Sequence, residues 1–88
     1  MNLAWTIEWD DAAKKQLKKL DRQIQKRILD YLDDRVTNSP LTFGKELLGN
    51  KIGLWRYRID DYRVICRIEN QNLVVLVLGV GHRKEIYD

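Results

Sequence analysis

The sequence predicts an α+β domain in the order β-α-α-β-β-β, with a four-stranded, antiparallel-type sheet and two helices packed on one face. Three patterns predict this class: apolar residues alternate near the amino terminus, recur at helical spacing between residues 12 and 36, and alternate again in the carboxyl-terminal half. A length of 88 residues leaves room for one small core. We therefore expect residues 1–88 to form a single domain.

The first strand is predicted to run from Ala4 to Trp9. Trp5, Ile7 and Trp9 point to one side of it, and the residues between them point to the other side. This alternation is typical of a strand that is covered on one face. We therefore expect its aromatic residues to belong to the core.

Two helices are predicted next. Asp10 and Asp11 suit the start of the first helix and Asp21 that of the second, because a carboxylate accepts hydrogen bonds from the first amides. Asn38-Ser39-Pro40 predicts the end of the second helix. Apolar residues recur at helical spacing at Ala12, Ala13, Leu17, Leu20, Ile24, Ile28, Tyr31, Leu32 and Val36. Because almost no linker separates the helices, we expect a tight helical hairpin or a sharp bend.

A connecting loop is predicted from Thr42 to Gly53, where three of the five glycines lie. The segment from Leu54 to Ile68, LWRYRIDDYRVICRI, is predicted to form a hairpin with a two-residue turn at Asp60-Asp61. Directly paired residues point to the same side of a sheet. One side of this hairpin then carries Trp55, Tyr57, Ile59, Tyr62, Val64, Cys66 and Ile68. The other side, called the arginine face, carries Arg56, Arg58, Arg63 and Arg67.

The last strand is predicted from Leu73 to Val80. It is apolar at both odd and even positions, so it needs cover on both faces or a place in the middle of the sheet. We place it between the hairpin and the amino-terminal strand, with a basic tail after it.

The composition points to a soluble protein with an anionic partner. The net charge is +3 and the isoelectric point is about 9.1. Cys66 is the single cysteine and cannot form an intramolecular disulfide, which suggests a reducing cytoplasm. No leader pattern is visible, and the apolar run at residues 73–80 is too short to span a bilayer. We expect a cytoplasmic protein that has no membrane partner.

The arginine face suggests a polyanionic ligand. Arginines opposed across two strands repel one another, and an anion relieves this repulsion. A simpler interpretation is a solvent-facing surface whose charge is offset by Asp60, Asp61 and Glu69. The sequence alone leaves both interpretations open.

The tail after the last strand adds His82, Arg83 and Tyr87. If this strand pairs beside the hairpin, its carboxyl end lies near Arg63 and brings the tail within reach of the arginine face. Phosphodiester chemistry could use guanidinium groups to hold the phosphate and a titratable group to move protons. His82 is the only histidine, and histidine is the side chain that changes charge near neutral pH.

Other site types find little support. One histidine and one buried cysteine do not make a metal ligand set, and the glycine spacing matches no phosphate-binding loop. We therefore expect no metal and no cofactor.

Four lysines on the first helix are most simply a solvated face. Together with two other basic residues they are also candidates for RNA or ribosome contact: Lys14, Lys15, Lys18, Lys19, Arg67 and Lys84.

The segment WRYRIDDYRVICRI and an apolar strand ending in VGHRKEIY, in this order of elements, resemble the RelE/ParE toxin superfamily, and within it the RelE branch. The resemblance covers nearly the whole chain. It implies a small toxin that enters the ribosomal A site and cleaves messenger RNA without a metal, by attack of the substrate's own 2′-hydroxyl. It also implies a cognate antitoxin protein that holds the toxin inactive.

The resemblance also implies roles for single residues. Arg56 and Arg58 match a basic pair on the first hairpin strand, and Arg63 matches an arginine that stabilises the transition state. Arg83 matches the residue that handles the leaving oxygen. Tyr87 matches a tyrosine that stacks on or orients the substrate base.

The basic pair departs from the best-known members, which have lysines where this chain has Arg56 and Arg58. Arginine stays protonated and is a poor proton acceptor. Either the reaction depends on positioning and charge, or His82 supplies the acid or base. Because Arg63 and Arg83 are expected to lie off the core, their replacement should leave folding intact.

Two alternatives to a nuclease remain. One is an inhibitor of gyrase, as in the ParE branch, which leaves RNA uncut. The other is a basic binding module whose main partner is its antitoxin, with the arginine face as the interaction surface.

Overall fold

The structure, a computed structural model, describes residues 5–47 and 53–86 and contains a five-stranded sheet. The strands are β1 (Thr6–Trp9), β2 (Lys45–Glu46), β3 (Leu54–Ile59), β4 (Tyr62–Glu69) and β5 (Val74–His82). The helices are α1 (Asp11–Lys18), α2 (Arg22–Tyr31) and α3 (Pro40–Phe43). A π-helical turn, Leu32–Val36, continues α2, and a 3-10 turn, Asn70–Asn72, links β4 to β5.

The strand order is β1-β5-β4-β3-β2. The last strand therefore lies between the hairpin and the amino-terminal strand, as its apolar sequence predicts. β1 runs parallel to β5, and the other neighbours in the sheet are antiparallel. The α+β class is confirmed.

The strand count is higher than predicted by one. Lys45 and Glu46 lie in the predicted loop, yet they pair with Arg56 and Trp55 and form β2. A strand of two residues is too short to show alternation, so only its pairing reveals it.

Pro40 is both the predicted stop of one helix and the first residue of α3. A proline can take this place because at the first helical position it loses no intrahelical hydrogen bond.

The hairpin register agrees with the prediction at each pair, from Ile59 opposite Tyr62 to Trp55 opposite Cys66. Asp60 in the turn adopts a left-handed backbone conformation with φ of 55°, which aspartate tolerates better than most residues. This register fixes one apolar and one basic side of the hairpin.

The helices cover the apolar side of the sheet. Ala13 and Leu17 of α1 and Ile28 of α2 are buried in one cluster with residues of β3, β4 and β5. Asp10 caps α1, since its Oδ2 accepts a hydrogen bond from the Ala12 N–H at 3.1 Å, whereas Asp21 makes no such side-chain bond at the start of α2. Packing, more than the second cap, therefore stabilises α2.

Cys66 is fully buried in this cluster. Burial raises the pKa of its thiol, because an apolar surrounding disfavours the thiolate. Cys66 is therefore a neutral core residue and a poor nucleophile.

Gln16 of α1 closes an open edge of β5. β1 ends at Trp9, which pairs with Val77, so among the described residues no strand pairs with β5 on that side beyond Val77. There the Gln16 Oε1 accepts a hydrogen bond from the Val80 N–H at 2.8 Å. The helix thus replaces a strand partner and positions the end of β5.

Tyr57 joins the sheet to the α3 segment. Its side chain is fully buried, and its hydroxyl donates a hydrogen bond to the Pro40 carbonyl oxygen at 2.7 Å. Gly44 leaves room for the ring, since a methyl group there would lie 2.7 Å from Tyr57 Cε1.

Within residues 5–47 and 53–86, no helix is both long and apolar enough to cross a bilayer.

Replacing Tyr57 by Phe is expected to lower the free energy of unfolding by about 1–3 kcal/mol, because the buried Pro40 carbonyl loses its donor. Urea unfolding followed by circular dichroism measures this change. An unchanged midpoint would contradict the structural role of this hydrogen bond.

The same variant is expected to alter the alkaline unfolding of the protein. Burial raises the pKa of Tyr57, whereas tyrosine in an unfolded chain ionises near pH ~10. The contribution of Tyr57 to the stability of the wild type is therefore complete below that pH and falls as pH rises above it, because Tyr57 releases its proton first in the unfolded state. Over about one pH unit above this value, the free energy of unfolding should fall less in Tyr57→Phe than in the wild type.

Candidate nucleic-acid interface

The four arginines of the arginine face lie on the side of the sheet that the helices leave uncovered. Arg58 pairs directly with Arg63, Arg56 pairs with Ile65, and Arg67 pairs with Leu54. Since paired residues point to the same side, the register directs all four side chains to one side of the sheet. Arg58 also lines a pocket with residues of α2.

Burial divides these four arginines into two kinds. Arg58 and Arg67 are exposed, but Arg56 and Arg63 are only 7% and 8% exposed. Arg63 lies outside the hydrophobic core, as expected, yet it does not project freely into solvent. Its Nη1 donates hydrogen bonds to the main-chain oxygens of Asp60 and Tyr62, both at 3.0 Å. The hairpin turn therefore holds this guanidinium in place.

Lys45 is a basic residue of this surface that the sequence did not reveal. It pairs with Arg56 across β2 and β3, so it points to the same side, and it is exposed. Its position followed from no sequence pattern, because it lies in a segment predicted as loop. The basic side of the hairpin thus carries Lys45, Arg56, Arg58, Arg63 and Arg67.

The tail brings Arg83 to the hairpin turn. The Arg83 N–H donates a hydrogen bond to the Asp61 oxygen at 2.7 Å, and its Nε lies 3.8 Å from Asp61 Oδ1. Ile86 packs against Gly81, which pairs with Arg63, so the tail turns back onto the end of β5. The tail therefore approaches the hairpin near Arg63, as expected, through Arg83 and Ile86.

His82 points to the other side of the sheet. It pairs with Tyr62, a residue of the apolar face, and the two rings meet edge to face with centroids 5.4 Å apart. Its Nδ1 accepts a hydrogen bond from the Lys84 N–H at 3.1 Å. The structure therefore does not bring the imidazole onto the arginine face.

A β-bulge explains this position of His82. Ile65 pairs with Gly79 and Cys66 pairs with Val77, so β5 has one more residue than β4 at this point. One extra residue inverts the side to which every later residue of the strand points. The only hint in the sequence was Gly79, because glycine inside a strand often marks a bulge.

Of the remaining candidate residues, the structure describes Lys84 and four lysines of the first helical segment. Tyr87 falls outside the described residues, and Lys84 is exposed in the tail. The exposed lysines of α1 and its carboxyl-terminal cap belong to the helical layer on the opposite side of the sheet: Lys14, Lys15, Lys18 and Lys19. They form a second basic surface and do not extend the arginine face.

The hairpin tip is also tied to α2. The Asp60 carboxylate accepts a hydrogen bond from Arg27 Nη1 in an ion pair that the sequence pattern did not predict. Asp60 and Asp61 therefore serve two different arginines, one on each side of the turn. Within the described ranges, 5–47 and 53–86, no group of three or more His, Cys, Asp and Glu side chains could hold a metal ion.

Comparison with known proteins finds similarity to bacterial toxins over nearly the whole chain. The family model described as ParE toxin of type II toxin-antitoxin system matches residues 7–87. Toxin RelG of Mycobacterium tuberculosis is 28% identical over 85 residues, which cover 97% of this chain and 98% of that protein.

Solved structures match the fold over nearly the whole chain. The crystal structure of the RelBE2 toxin-antitoxin complex from Mycobacterium tuberculosis gives a TM-score of 0.88 at 27% identity, covering 92% of this chain and 100% of that chain. The intact Escherichia coli RelBE complex gives a TM-score of 0.76 at 22% identity, covering 90% and 96%. The second match concerns the fold alone.

Replacing Arg63 by Ala is expected to lower the free energy of unfolding by about 1–3 kcal/mol, because its guanidinium donates two hydrogen bonds to the hairpin turn. Arg67→Ala removes an exposed arginine from the same side and should change this free energy by less than about 0.5 kcal/mol. Chemical unfolding of the two variants checks the difference. Equal effects would show that the turn does not depend on Arg63.

Proposed function

Because the chain belongs to the ParE toxin family of type II toxin-antitoxin systems, we propose that it is a ribosome-dependent endoribonuclease that cleaves translated messenger RNA in the ribosomal A site. It is a toxin of the RelE/ParE superfamily, and its relatives place it in the RelE branch. The complexes of related toxins support a protein antitoxin as its partner. We propose that the protein acts in the cytoplasm.

One observation carries this proposal: the tail and the hairpin turn bring Arg83 beside the arginine face. Arg83 contacts Asp61 in the hairpin turn, and the main-chain oxygen of the adjacent Asp60 accepts a hydrogen bond from Arg63. Guanidinium groups bind phosphate through paired, charge-assisted hydrogen bonds, and they stabilise negative charge that develops during a reaction. This arrangement supports a phosphodiester as substrate.

In the proposed reaction the 2′-oxygen of a nucleotide attacks the adjacent phosphorus. A new P–O2′ bond forms while the P–O5′ bond breaks, giving a 2′,3′-cyclic phosphate and a free 5′-hydroxyl. The proton of the 2′-hydroxyl is removed, and the departing 5′-oxygen gains one. An extra negative charge accumulates on the phosphate oxygens between these two proton transfers, and that charge is what an arginine can stabilise.

Each arginine then has a proposed role. Arg63 stabilises the transition state, and Arg83 donates a hydrogen bond to the leaving oxygen. Arg56 and Arg58 hold the phosphates that flank the scissile bond. Tyr87 stacks on or orients the substrate base.

Protons need a different carrier. A guanidinium stays protonated, so the arginine face contributes positioning and charge. His82 lies on the other side of the sheet. The proposal therefore assigns the proton of the 2′-hydroxyl to water or to a group of the ribosome, which is also a reason for the dependence on ribosomes.

A second set of basic residues is proposed to contact RNA or the ribosome through phosphates: Lys14, Lys15, Lys18, Lys19, Arg67 and Lys84. Such contacts release counterions, so the affinity should fall steeply as salt increases. These contacts supply affinity but no chemistry.

Induction of the protein is expected to produce new 5′ ends within translated messenger RNA. Primer extension on a translated and an untranslated copy of one messenger, with purified ribosomes present or absent, checks this. Cleavage should need both translation and ribosomes. Intact transcripts in growth-arrested cells, together with loss of DNA supercoiling, would instead indicate a gyrase inhibitor.

Replacing Arg83 by Ala is expected to slow cleavage by about 100-fold or more, the usual cost of removing one group that stabilises transition-state charge. Arg83 is exposed, so the unfolding midpoint should stay unchanged. Arg22→Ala is the matched control, because it removes an exposed arginine from α2. Wild-type cleavage by the Arg83 variant would refute this assignment.

A further inference from the structure

His82 organises the whole turn that carries Arg83. The Lys84 N–H donates to its Nδ1 at 3.1 Å, and the Glu85 and Ile86 N–H groups donate to its main-chain oxygen at 2.8 and 3.2 Å. Three consecutive amides after Arg83 therefore end on one residue. Such convergence is typical of a residue that shapes a turn.

The other anchor of the turn is the hairpin. The Arg83 N–H donates to the Asp61 oxygen at 2.7 Å, and Ile86 packs against Gly81. The turn after His82 is therefore held at both ends. The Arg83 amide binds the hairpin at one end, and the Ile86 side chain packs on Gly81 at the other. The only side-chain acceptor among these contacts to the tail amides is His82 Nδ1, within the part of the tail that the structure describes.

The ring of His82 is oriented for this contact. It meets Tyr62 edge to face, with an interplanar angle of 81°, and both side chains point to the side of the sheet opposite Arg63. An Nδ1 that accepts a hydrogen bond carries no proton, so the ring proton belongs on Nε2. Nδ1 is thereby occupied by the tail, and the ring faces away from the phosphate-binding side.

We propose that His82 is a positioning residue, which holds the tail turn so that Arg83 lies beside the arginine face, and that it does not transfer a proton. This inference rests on the proposed nuclease function, because Arg83 has a target only if a phosphodiester binds there. It replaces the expected acid or base role of His82 with a structural one.

Asparagine separates the two roles. Its Oδ1 can accept the N–H two residues later, as Nδ1 of His82 does, and this contact is the ordinary Asx turn. An asparagine amide cannot act as a general acid or base at neutral pH. His82→Asn therefore keeps the acceptor and removes the titratable group, whereas His82→Ala removes both.

The first experiment measures single-turnover cleavage on programmed ribosomes. His82→Ala should slow cleavage by about tenfold or more, in line with the cost of a misplaced catalytic group, while His82→Asn should stay within about threefold of the wild type. A proton-carrying histidine would contribute about 10²–10⁴-fold, and both variants would then be equally slow. Equal loss in both variants, or no loss in either, would overturn the proposal.

The second experiment needs no cleavage at all. Amide hydrogen exchange at Lys84 in the wild type and the two variants reports the contact itself. Exchange should speed up in His82→Ala and stay slow in His82→Asn, with the same thermal midpoint as a check on folding. If the wild type cut no RNA but showed this pattern, the nuclease proposal would fail while the positioning role of His82 stood.

Discussion

The pairing of β3 with β4 is the constraint from which the rest of the surface follows. Its register places Arg58 opposite Arg63 and gathers the basic side chains of both strands on one side. Opposed like charges destabilise a strand pair by a few tenths of a kcal/mol or about 1 kcal/mol. The apolar side of the same hairpin offsets this, because Tyr57, Val64 and Cys66 are fully buried beneath the helices. The hairpin can therefore carry a basic surface that would not be stable without its core.

A single extra residue in β5 decides what that surface receives from the tail. Without the bulge beside Ile65 and Cys66, the alternation of β5 would turn His82 toward the arginine face. With the bulge, Gly81 faces Arg63 and His82 faces Tyr62. The absence of a side chain on Gly81 lets Ile86 fold over the end of the strand, and Arg83 reaches the turn. The bulge thus exchanges a titratable ring for a guanidinium at the same edge of the sheet.

Sequence patterns predicted what depends on period and missed what depends on irregularity. The hairpin register, the two apolar helix stripes and the central place of β5 follow from alternation and helical spacing. The side of His82 does not, because a bulge is defined by pairing and Gly79 alone is a weak sign of one. Lys45 was missed for the same reason, since its strand has two residues and only Arg56 and Trp55 identify it. The ion pair of Arg27 with Asp60 joins residues far apart in sequence, and no local pattern predicts such a contact.

The burial of Arg63 separates two tasks that a uniform arginine surface would confuse. Arg58, Arg67 and Lys45 are exposed, so their charges attract an anion over a distance. Arg63 is nearly buried, and main-chain oxygens of its own hairpin turn accept its hydrogen bonds. A group fixed before the substrate arrives costs little reorganisation during the reaction, which is the basis of electrostatic preorganisation. In the proposed nuclease, the exposed cations attract the substrate and Arg63 stabilises the charge that develops on it. The turn that holds Arg63 also anchors Arg83 through Asp61.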